Sequence, residues 1–441
     1  MTDLAVTPDA APAGRAEVVA QRVTFVLPTT GEFDSRTRRM SRDLALRGHE
    51  VRIVARRGSG VADAEVTAEG VEIVRVRAEP DDGLPLPGPL RRRAGALLTR
   101  MERPRGLVRL ALVVLRARGQ ARAAEAATAG AGADLYHAMG FLGLPVARRL
   151  RRRSTRSPAA PRLVYDARDL YAESNNIARL PGLVRRAFRR LERAWARGAD
   201  AVLTVNAPLA MELEKRWGVR TRIVMNGQSP RPRSRKRPDL LRRALGLPSD
   251  APIVLYHGGF MPDRGLPELI EAHRDAGLAG AHLVLLGSGA LEALLRDLAA
   301  APQSTGRVHI LPPVSPDTLL DWVASADVSV MPNQPRTLNE RLSTPNKLFE
   351  ALAAGVPVVS SDFAERRRII LDDPEGPLGA VCDPTSPSAL ATAIARILEL
   401  PDGERDALRE RCLRVSALRY AWTLQFDTLL EVYGSITGRP W

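Results

Sequence analysis

Short, almost entirely apolar runs alternate along the chain with stretches of helical periodicity, and this alternation constrains the fold most. Such runs, separated by helices, are typical of parallel strands that are covered by helices on both faces. In the first half the predicted strands are Val23–Leu27, Val51–Ala55, Val71–Val76, Leu135–Ala138, Leu163–Asp166, Val202–Val205 and Ile223–Met225. In the second half they are Ile253–His257, Leu283–Leu286, Val308–Leu311, Val328–Met331 and Val356–Ser360. The pattern predicts an α/β protein with doubly wound parallel sheets.

The alternation is interrupted between Ser229 and Pro238, where the sequence SPRPRSRKRP has no apolar periodicity and is typical of a linker. A chain of 441 residues also exceeds the length at which a single core stops growing. We therefore predict two Rossmann-like domains that face each other across a cleft. The predicted division is a disordered lead-in at 1–21, a first domain at 22–228, a basic linker at 229–238, a second domain at 239–415 and a terminal helix at 416–441.

The two cysteines, Cys382 and Cys412, have no accompanying Cys/His cluster, which indicates a reducing compartment without a disulfide framework or a structural zinc. Residues 1–21 lack the apolar core of a signal peptide. The apolar run Leu107–Leu115 is too short to span a bilayer. We expect a cytoplasmic protein.

The net charge of +15 is concentrated in two stretches of the first half. Residues 91–122 hold ten arginines against one acidic residue, Glu102, and residues 148–156 hold six arginines and no acid. A basic patch of this kind suits an anionic membrane surface, nucleic acid or solubility alone. Only three of the 65 basic residues are lysines, which also indicates a genomic preference for arginine. Since aromatic residues do not interleave with the arginines, we expect no nucleic acid partner.

The most informative segment is STPNKLFEALAAGVPVVS, residues 343–360. We predict that Thr344 caps a helix with Pro345 in its first position, so that Asn346, Lys347 and Leu348 present free backbone N–H groups. A helix N-terminus of this kind binds phosphate, and Lys347 opposes the helix dipole unless an anion lies beside it. Glu350 would accept hydrogen bonds from two ribose hydroxyls. An ordinary packed helix explains the apolar residues of the segment but neither Lys347 nor Glu350.

Two further segments lie at predicted strand ends of the second half. In YHGGFMPDRG, residues 256–265, two glycines allow close approach to a ligand, and Arg264 would clamp a diphosphate. In LGSG, residues 286–289, Gly287 and Gly289 would allow a base or a ribose to approach. Glycine-rich turns after strands are common, so each segment alone is a weak indication.

In the first half, the loop Thr29–Asp34 follows a strand that leads to the cleft, and we predict that its Gly31 contributes to donor binding. His137 ends another predicted strand, and Arg168 and Asp169 follow a third. We predict catalytic roles for His137, Arg168 and Asp169. For His137 a hydrogen-bonded place in the core is the alternative.

The sequence lacks the motifs of several other classes of enzyme. No Asp-any-Asp pair occurs, so the metal–diphosphate motif of many single-domain transferases is missing, and we predict no metal site and no cofactor. There is no GxxxxGK[ST] loop, no GxSxG elbow and no GxGxxG after the first strand, which argues against an ATPase, an α/β-hydrolase and a dehydrogenase.

The run TPNKLFEALAAGVPVVS resembles the donor-binding signature of the family 4 glycosyltransferases, retaining enzymes of the GT-B fold. The segments GHEVRIVA, DLYHAMG, LVYDARDLY, ADAVLTVN, VLYHGGFMPDRGLPELIEA and ADVSVMPN resemble other parts of that family in the same order. The similarity extends from about Val23 to Tyr433. It implies that Arg264 and Lys347 hold the diphosphate, that Gly259 lies under the phosphates and that the terminal helix crosses back to the first domain.

The sequence departs from the family at four positions. Leu342 stands where many members have a second glutamate, and Gly259 stands where many have arginine. Met139 and Arg168 each replace a frequent histidine. The resemblance therefore does not extend to recognition of the sugar.

We expect a retaining, metal-independent hexosyltransferase that uses a UDP- or GDP-linked sugar and a glycan or lipid-linked acceptor in cell-envelope or exopolysaccharide biosynthesis. It would be cytoplasmic, with peripheral contact to the membrane through 91–122 and 148–156. A nucleotide-sugar 2-epimerase of the same fold is one alternative. An arginine-rich protein that binds anionic surfaces or nucleic acid is an alternative of another class.

Overall fold

A computed structural model describes residues 19–32, 34–77, 107–128, 131–154, 160–178, 180–232, 236–304 and 306–441. The described strands form two separate sheets, one of eight strands and one of six. All strand pairs are parallel except one at the edge of the first sheet. The predicted architecture of two doubly wound α/β domains is confirmed.

The first sheet has the order β3-β4-β2-β1-β5-β6-β7-β8. Its strands are β1 (Arg22–Val26), β2 (Glu50–Arg56), β3 (Ala64–Val66), β4 (Glu72–Val76), β5 (Leu135–Met139), β6 (Arg162–Asp166), β7 (Ala201–Thr204) and β8 (Thr221–Ile223). The α-helices of this part are α1 (Ser35–Leu46), α2 (Leu107–Ala127), α3 (Gly140–Arg153), α4 (Asn175–Ala178), α5 (Gly182–Ala196) and α6 (Ala207–Trp217), with a 3₁₀ turn at Tyr171–Glu173.

The second sheet has the order β11-β10-β9-β12-β13-β14, which reverses direction beside β9. Its strands are β9 (Ile253–His257), β10 (His282–Leu286), β11 (Val308–Leu311), β12 (Val328–Met331), β13 (Val358–Ser361) and β14 (Gly379–Cys382). Its helices are α7 (Leu240–Leu245), α8 (Leu266–Ala272), α9 (Glu292–Ala300), α10 (Leu319–Ala324), α11 (Leu338–Leu342), α12 (Asn346–Ala353), α13 (Ala364–Ile370), α14 (Pro387–Leu398) and α15 (Asp402–Val415), with a 3₁₀ turn at Ala276–Leu278. Ligands of such sheets bind outside the carboxyl ends of the strands, at the point of reversal.

Two edge strands, β3 and β14, were not predicted. Every residue of β3 is exposed, and the residues of β14 are half-buried. Because an edge strand is not covered on both faces, it lacks the continuous apolar run by which the other strands are recognised.

Two predicted strand boundaries are wrong for local reasons. The N–H of Val356 donates to the carbonyl of Ala351, so Val356 belongs to the turn that ends α12 and β13 begins only at Val358. The strand β8 ends at Ile223. The N–H of Val224 still donates to the carbonyl of Thr204 in β7, but that of Met225 donates to the side chain of Gln425, so Met225 lies outside the sheet.

The terminal helix α16 (Trp422–Thr437) follows a π-helical turn and packs on the first domain. Trp422, Phe426 and Tyr433 belong to the same apolar cluster as β1 and α1 residues such as Phe25 and Met40. The indole of Trp422 donates to Asp43 of α1 over 2.6 Å. The predicted return of the terminal helix to the first domain is confirmed.

The domain boundaries at 228 and 239 remain predictions, although the two sheets lie on either side of them. The lead-in up to residue 18, residues 91–106 of the first basic stretch and residues 233–235 of the linker lie outside the described residues. Among the residues that the structure describes, no helix is long and apolar enough to cross a membrane.

A buried histidine at the end of α8 makes the stability of the second domain depend on pH. His273 is 1% exposed, and burial, with a contribution from the charge of Arg307, lowers its pKa to about 4. His282 and His309 lie close enough to add to the same effect. The folded state therefore resists protonation of His273 more strongly than the unfolded chain does.

We predict that the free energy of unfolding decreases as the pH falls from about 6.5 towards 4, because the unfolded chain takes up the proton first. Between pH 6.5 and pH 5 the difference in proton uptake at His273 alone should lower the free energy of unfolding by about 2 kcal/mol. Urea unfolding of the wild type and of His273→Gln at these two pH values measures this decrease. The variant should lose less stability than the wild type over this interval, and an identical loss in both proteins would contradict the prediction.

Candidate active site

The candidate donor residues gather where β9, β10 and β12 end, at the reversal point of the second sheet. The loop after β9 crosses the loop after β10 at close range. A Cβ atom on Gly287 would lie 2.0 Å from the carbonyl oxygen of Gly258, and one on Gly289 would lie 2.6 Å from that of Phe260. These two predicted glycines therefore have a packing role that brings the two loops together, whether or not a ligand also approaches them.

Lys347 occupies the first turn of α12 and is held against the end of β9. Its ammonium lies 3.7 Å from the centre of the Tyr256 ring, and a Cβ on Gly258 would be 3.4 Å from Nζ. Burial lowers the pKa of Lys347 well below its usual value, and the charge of Arg264 lowers it further, while Glu350 opposes the change. Because a buried ammonium is stabilised by a nearby anion, the position suits a phosphate group.

The start of α12 differs from the prediction. Pro345 has extended backbone angles and is itself the N-cap, so the helix begins at Asn346 and the side chain of Thr344 does not cap it. The hydroxyl of Thr344 instead accepts a hydrogen bond from Asn206 of the first domain over 3.1 Å. The N–H of Leu348 donates to the carbonyl of Pro345, and its side chain is fully buried in the core. In the first turn of α12, the hydrogen bonds of the described residues include no acceptor for the N–H groups of Asn346 and Lys347.

Glu350 lies one turn further along α12 and is 6% exposed. Its Oε2 is 3.0 Å from Nε2 of His257, the last residue of β9. Burial would raise the pKa of Glu350, but the hydrogen bond with His257 and the charges of Arg39 and Lys347 hold it below its usual value. Glu350 is therefore an ionised acceptor that His257 orients at the edge of the cleft.

Arg264 reaches a carboxylate that the sequence analysis did not identify. Its Nη1 lies 3.3 Å from Oε2 of Glu340 on α11, and the amide of Asn333 donates to the same oxygen over 3.2 Å. The sequence does contain a pattern that could have identified Glu340, because a threonine followed three residues later by a glutamate is typical of a helix N-terminus. In the structure the N–H of Glu340 donates to the hydroxyl of Thr337. Glu340 stands two residues before Leu342, where the family pattern was expected to have its second glutamate.

Arg366 of α13 is a second residue that was missed, and nothing in its local sequence indicates it. It is fully buried, and it donates to the carbonyl of Ser343 and the side-chain oxygen of Asn333. Burial lowers its pKa to about 9, against the opposing charge of Glu340. Lys347, Arg264 and Arg366 are thus three cations near two carboxylates, Glu340 and Glu350, so this side of the cleft carries a net positive charge.

On the first-domain side, the structure places His137 inside the core. His137 has zero exposure, its ring stacks on Phe25, and Nδ1 lies 2.5 Å from the hydroxyl of Tyr433 on α16. Nε2 is 3.6 Å from Asp166, which also accepts from Arg36 over 2.7 Å. Because the side chain of His137 has no solvent-accessible surface, it does not contact a substrate in this conformation. The geometry therefore favours a structural role for His137 in the core over the predicted catalytic role.

Arg168 and Asp169 do reach the cleft, but each already has a partner. Arg168 pairs with Asp34, the N-cap of α1, over 2.8 Å. Asp169 accepts from the amide of Asn339 on α11 over 3.1 Å. Gly31 lies in the loop before α1 with a φ of 81°, a left-handed conformation that favours glycine, and it lines the cavity between the domains.

The two domains meet directly around this site. Asn206 donates to the carbonyl of Leu342 over 2.8 Å, and the N–H of Leu170 donates to Asn339 over 2.6 Å. The amide of Asn346 donates to the hydroxyl of Ser35 at the start of α1 over 3.4 Å. These contacts hold the N-terminus of α12 against the N-terminus of α1.

The described part of the chain contains no group of three or more His, Cys, Asp or Glu residues that could hold a metal ion. The positive groups of the cleft are side chains and helix amides. The electrostatic arrangement suits an anion with several oxygens, such as a diphosphate.

Comparison with known proteins connects this cleft to a family. Residues 33–228 match the model described as "Glycosyl transferase 4-like domain", and residues 251–400 match the model described as "Glycosyl transferases group 1". The D-inositol 3-phosphate glycosyltransferase of Xylanimonas cellulosilytica is 32% identical over 202 residues, which cover 45% of this chain and 46% of that protein. The matched stretch thus spans about half the length of this relative.

Solved structures show the same fold over nearly the whole chain. Sucrose-phosphate synthase from Thermosynechococcus elongatus has a TM-score of 0.70 at 20% identity and covers 95% of this chain and 100% of its own. HepE from Anabaena, solved in complex with UDP and glucose, has a TM-score of 0.62 at 15% identity and covers 94% and 100%. Since both domain models match in order and the architecture agrees throughout, the chain belongs to the two-domain glycosyltransferases of the GT-B fold, with a 4-like domain followed by a group 1 domain.

Proposed function

We propose that the chain transfers a hexosyl group from a UDP- or GDP-linked sugar to a glycan or lipid-linked acceptor in cell-envelope or exopolysaccharide biosynthesis. The observation that carries the donor half of this proposal is the cation Lys347 in the first turn of α12, held against the ring of Tyr256. Glu350 follows it one turn later along the same helix. The UDP in the HepE structure is consistent with such a donor.

Within this proposal each donor residue has a role. Lys347, Arg264 and the free amides of α12 bind the diphosphate, Glu350 binds the ribose, and Gly259 leaves room beside the phosphates. During transfer these positive groups stabilise the charge that develops on the leaving diphosphate. We therefore propose that turnover needs no metal and no cofactor, and that it persists in EDTA. Retention of configuration is likewise proposed, and product NMR would establish it.

On the acceptor side we propose that Arg168 and Asp169 contact the acceptor or the transferred sugar. Tyr171 follows them in the 3₁₀ turn, and burial raises its pKa. Their present partners, Asp34 and Asn339, belong to the two sides of the cleft, so both residues are placed where the domains meet.

We predict that Lys347→Ala weakens the binding of UDP or GDP by about 1.5–3 kcal/mol, because a charge-assisted hydrogen bond is lost. Isothermal titration with each nucleotide measures the change, after a thermal-shift screen of nucleotide sugars has identified the preferred base. Lys215→Ala is the matched control, since Lys215 is an exposed lysine of α6 far from the donor loops. Equal affinity of the folded Lys347→Ala variant and the wild type would contradict the proposed donor site.

We predict that Glu350→Gln weakens the binding of ribonucleotides more than that of 2′-deoxyribonucleotides. The amide keeps the shape of the carboxylate but accepts hydrogen bonds from the hydroxyls less strongly, because it carries no charge. The measurement is the ratio of the two dissociation constants in the wild type and in the variant. The ratio should shrink towards one in the variant, whereas an unchanged ratio would assign Glu350 a structural role with His257.

We further propose that the first domain docks on an anionic membrane surface through the basic stretches 91–122 and 148–156. In the described part, Arg149 and Arg153 both pair with Glu125, and Arg151 pairs with Asp200, so the second stretch is partly neutralised within the fold. The remaining attraction rests mainly on the first stretch.

The membrane proposal predicts co-sedimentation with anionic vesicles that decreases as salt rises, since each basic residue near the surface contributes at most about 1 kcal/mol and is screened. Replacing Arg91, Arg92 and Arg93 by serine should reduce the bound fraction. Equal recovery with neutral and anionic vesicles would instead favour a soluble acceptor.

A further inference from the structure

Arg366 is a buried cation that the proposed donor site leaves without a role. It lies on α13, it is fully buried, and in the part of the chain that the structure describes it forms no ion pair with a carboxylate. Its Nη2 atom is shielded from solvent and has no hydrogen-bond partner among the described residues. Its guanidinium carbon lies 4.8 Å from the centre of the Phe363 ring. Because a buried charge without a carboxylate partner is costly, stability of the fold alone does not explain a cation at this position.

The guanidinium holds the segment that leads into α12. Its Nε donates to the carbonyl of Ser343 over 3.3 Å, and its Nη1 donates to the hydroxyl of Ser360 in β13 over 3.4 Å. Ser343 is the residue that follows α11, and α12 begins three residues later at Asn346, with Lys347 next. Arg366 thus connects the approach to the N-terminus of α12 with the second sheet.

A second series of hydrogen bonds connects Arg366 with Arg264. Nη1 of Arg366 donates to Oδ1 of Asn333 over 3.2 Å. The amide nitrogen of the same asparagine donates to Oε2 of Glu340 over 3.2 Å, and that oxygen lies 3.3 Å from Nη1 of Arg264. Since the oxygen and the nitrogen of the Asn333 amide are both engaged, the amide has one orientation, and Glu340 is held in place beside Arg264.

The charge of Arg366 also acts on Lys347. Burial lowers the pKa of Lys347, and the charges of Arg264 and Arg366 lower it further. Each additional cation raises the cost of keeping Lys347 charged, and it also increases the stabilisation that an anion beside Lys347 supplies. Arg366 therefore affects the two proposed diphosphate ligands both through hydrogen bonds and through its charge.

We propose that Arg366 is a positioning residue of the donor site, which holds Lys347 at the N-terminus of α12 and Arg264 in the arrangement that binds one diphosphate. This inference rests on the proposed function. Arg366 acts through the Ser343 carbonyl and the Asn333 amide and adds its charge from within the core, so it needs no contact with the ligand itself.

The test is a double-mutant cycle on the binding of UDP or GDP, whichever the wild type prefers, measured by isothermal titration. Arg366→Met should weaken binding about tenfold, which is the size of loss expected when a charge-assisted interaction is impaired. In the Lys347→Ala background the same substitution should weaken binding by about threefold or less, because one of the cations that Arg366 positions is missing.

Arg367→Met is the matched control. It removes the same charge from the neighbouring residue of α13, where Arg367 is exposed and pairs with Asp362. Binding in this variant should stay within about twofold of the wild type. A variant that only folds less completely would lower the stoichiometry of the titration and leave the dissociation constant unchanged, so the cycle separates positioning from a general loss of stability.

Arg366→Lys distinguishes the geometry of the guanidinium from its charge. The ammonium keeps the charge but does not reproduce the planar fork that reaches both Ser343 and Asn333, so the affinity should lie between those of Arg366→Met and the wild type. This variant also serves if the methionine variant does not fold. Full wild-type affinity of Arg366→Lys would show that the charge alone suffices and would overturn the positioning role.

Two further outcomes would contradict the inference without touching the donor site. Equal losses from Arg366→Met in the wild-type and Lys347→Ala backgrounds would mean that Arg366 acts independently of Lys347. An unchanged dissociation constant in Arg366→Met would mean that it has no part in binding, while weaker binding by Lys347→Ala would still support the donor site. A wild type that binds neither UDP nor GDP would overturn both proposals.

Discussion

The ammonium of Lys347 lies 3.7 Å from the centre of the Tyr256 ring, and in the part of the chain that the structure describes it forms no ion pair with a carboxylate. Two elements must meet for this to occur, because Tyr256 belongs to β9 and Lys347 to the first turn of α12. The ring face stabilises the cation, but burial lowers its pKa, so the arrangement favours a conformation in which an anion shares the pocket. Arg264 and Arg366 increase the local positive charge, and Glu340 offsets only part of it.

The first domain contributes to the same region through α1, which is fixed from two sides. On its inner side Arg36 donates to Asp166, and Asp166 lies beside the His137–Tyr433 pair that anchors α16. On its outer side the N-terminus of α1 contacts the N-terminus of α12. The terminal helix therefore does more than cover the first sheet, since it supports the helix that faces the donor residues.

The sequence analysis named more candidate residues in the second domain than in the first. Lys347 and Glu350 could be singled out because each is unusual for its place in the helix. Lys347 is a cation at the positive end of the helix dipole, and Glu350 is a carboxylate in an otherwise apolar segment. Glu340 and Arg366 were not found, since a carboxylate in a capped turn and an arginine in a basic helix look ordinary in sequence. His137 was assigned to the cleft because it ends a strand, but the ring packs sideways between Phe25 and Tyr433, and strand position alone does not reveal that direction.

By itself the sequence determined the order of the helices and of the strands that are covered on both faces, the parallel sheets and the two-domain architecture, and it singled out residues 343–360 as the candidate donor segment. These follow from apolar periodicity and from local chemistry, both of which act within a few residues. Only the tertiary structure decided that Thr344 accepts a hydrogen bond from Asn206 and does not cap α12, that Asn339 contacts Asp169, and that Arg39 and Glu350 line the same cavity. Each of these depends on the relative placement of elements more than a hundred residues apart, which packing sets and local sequence does not encode.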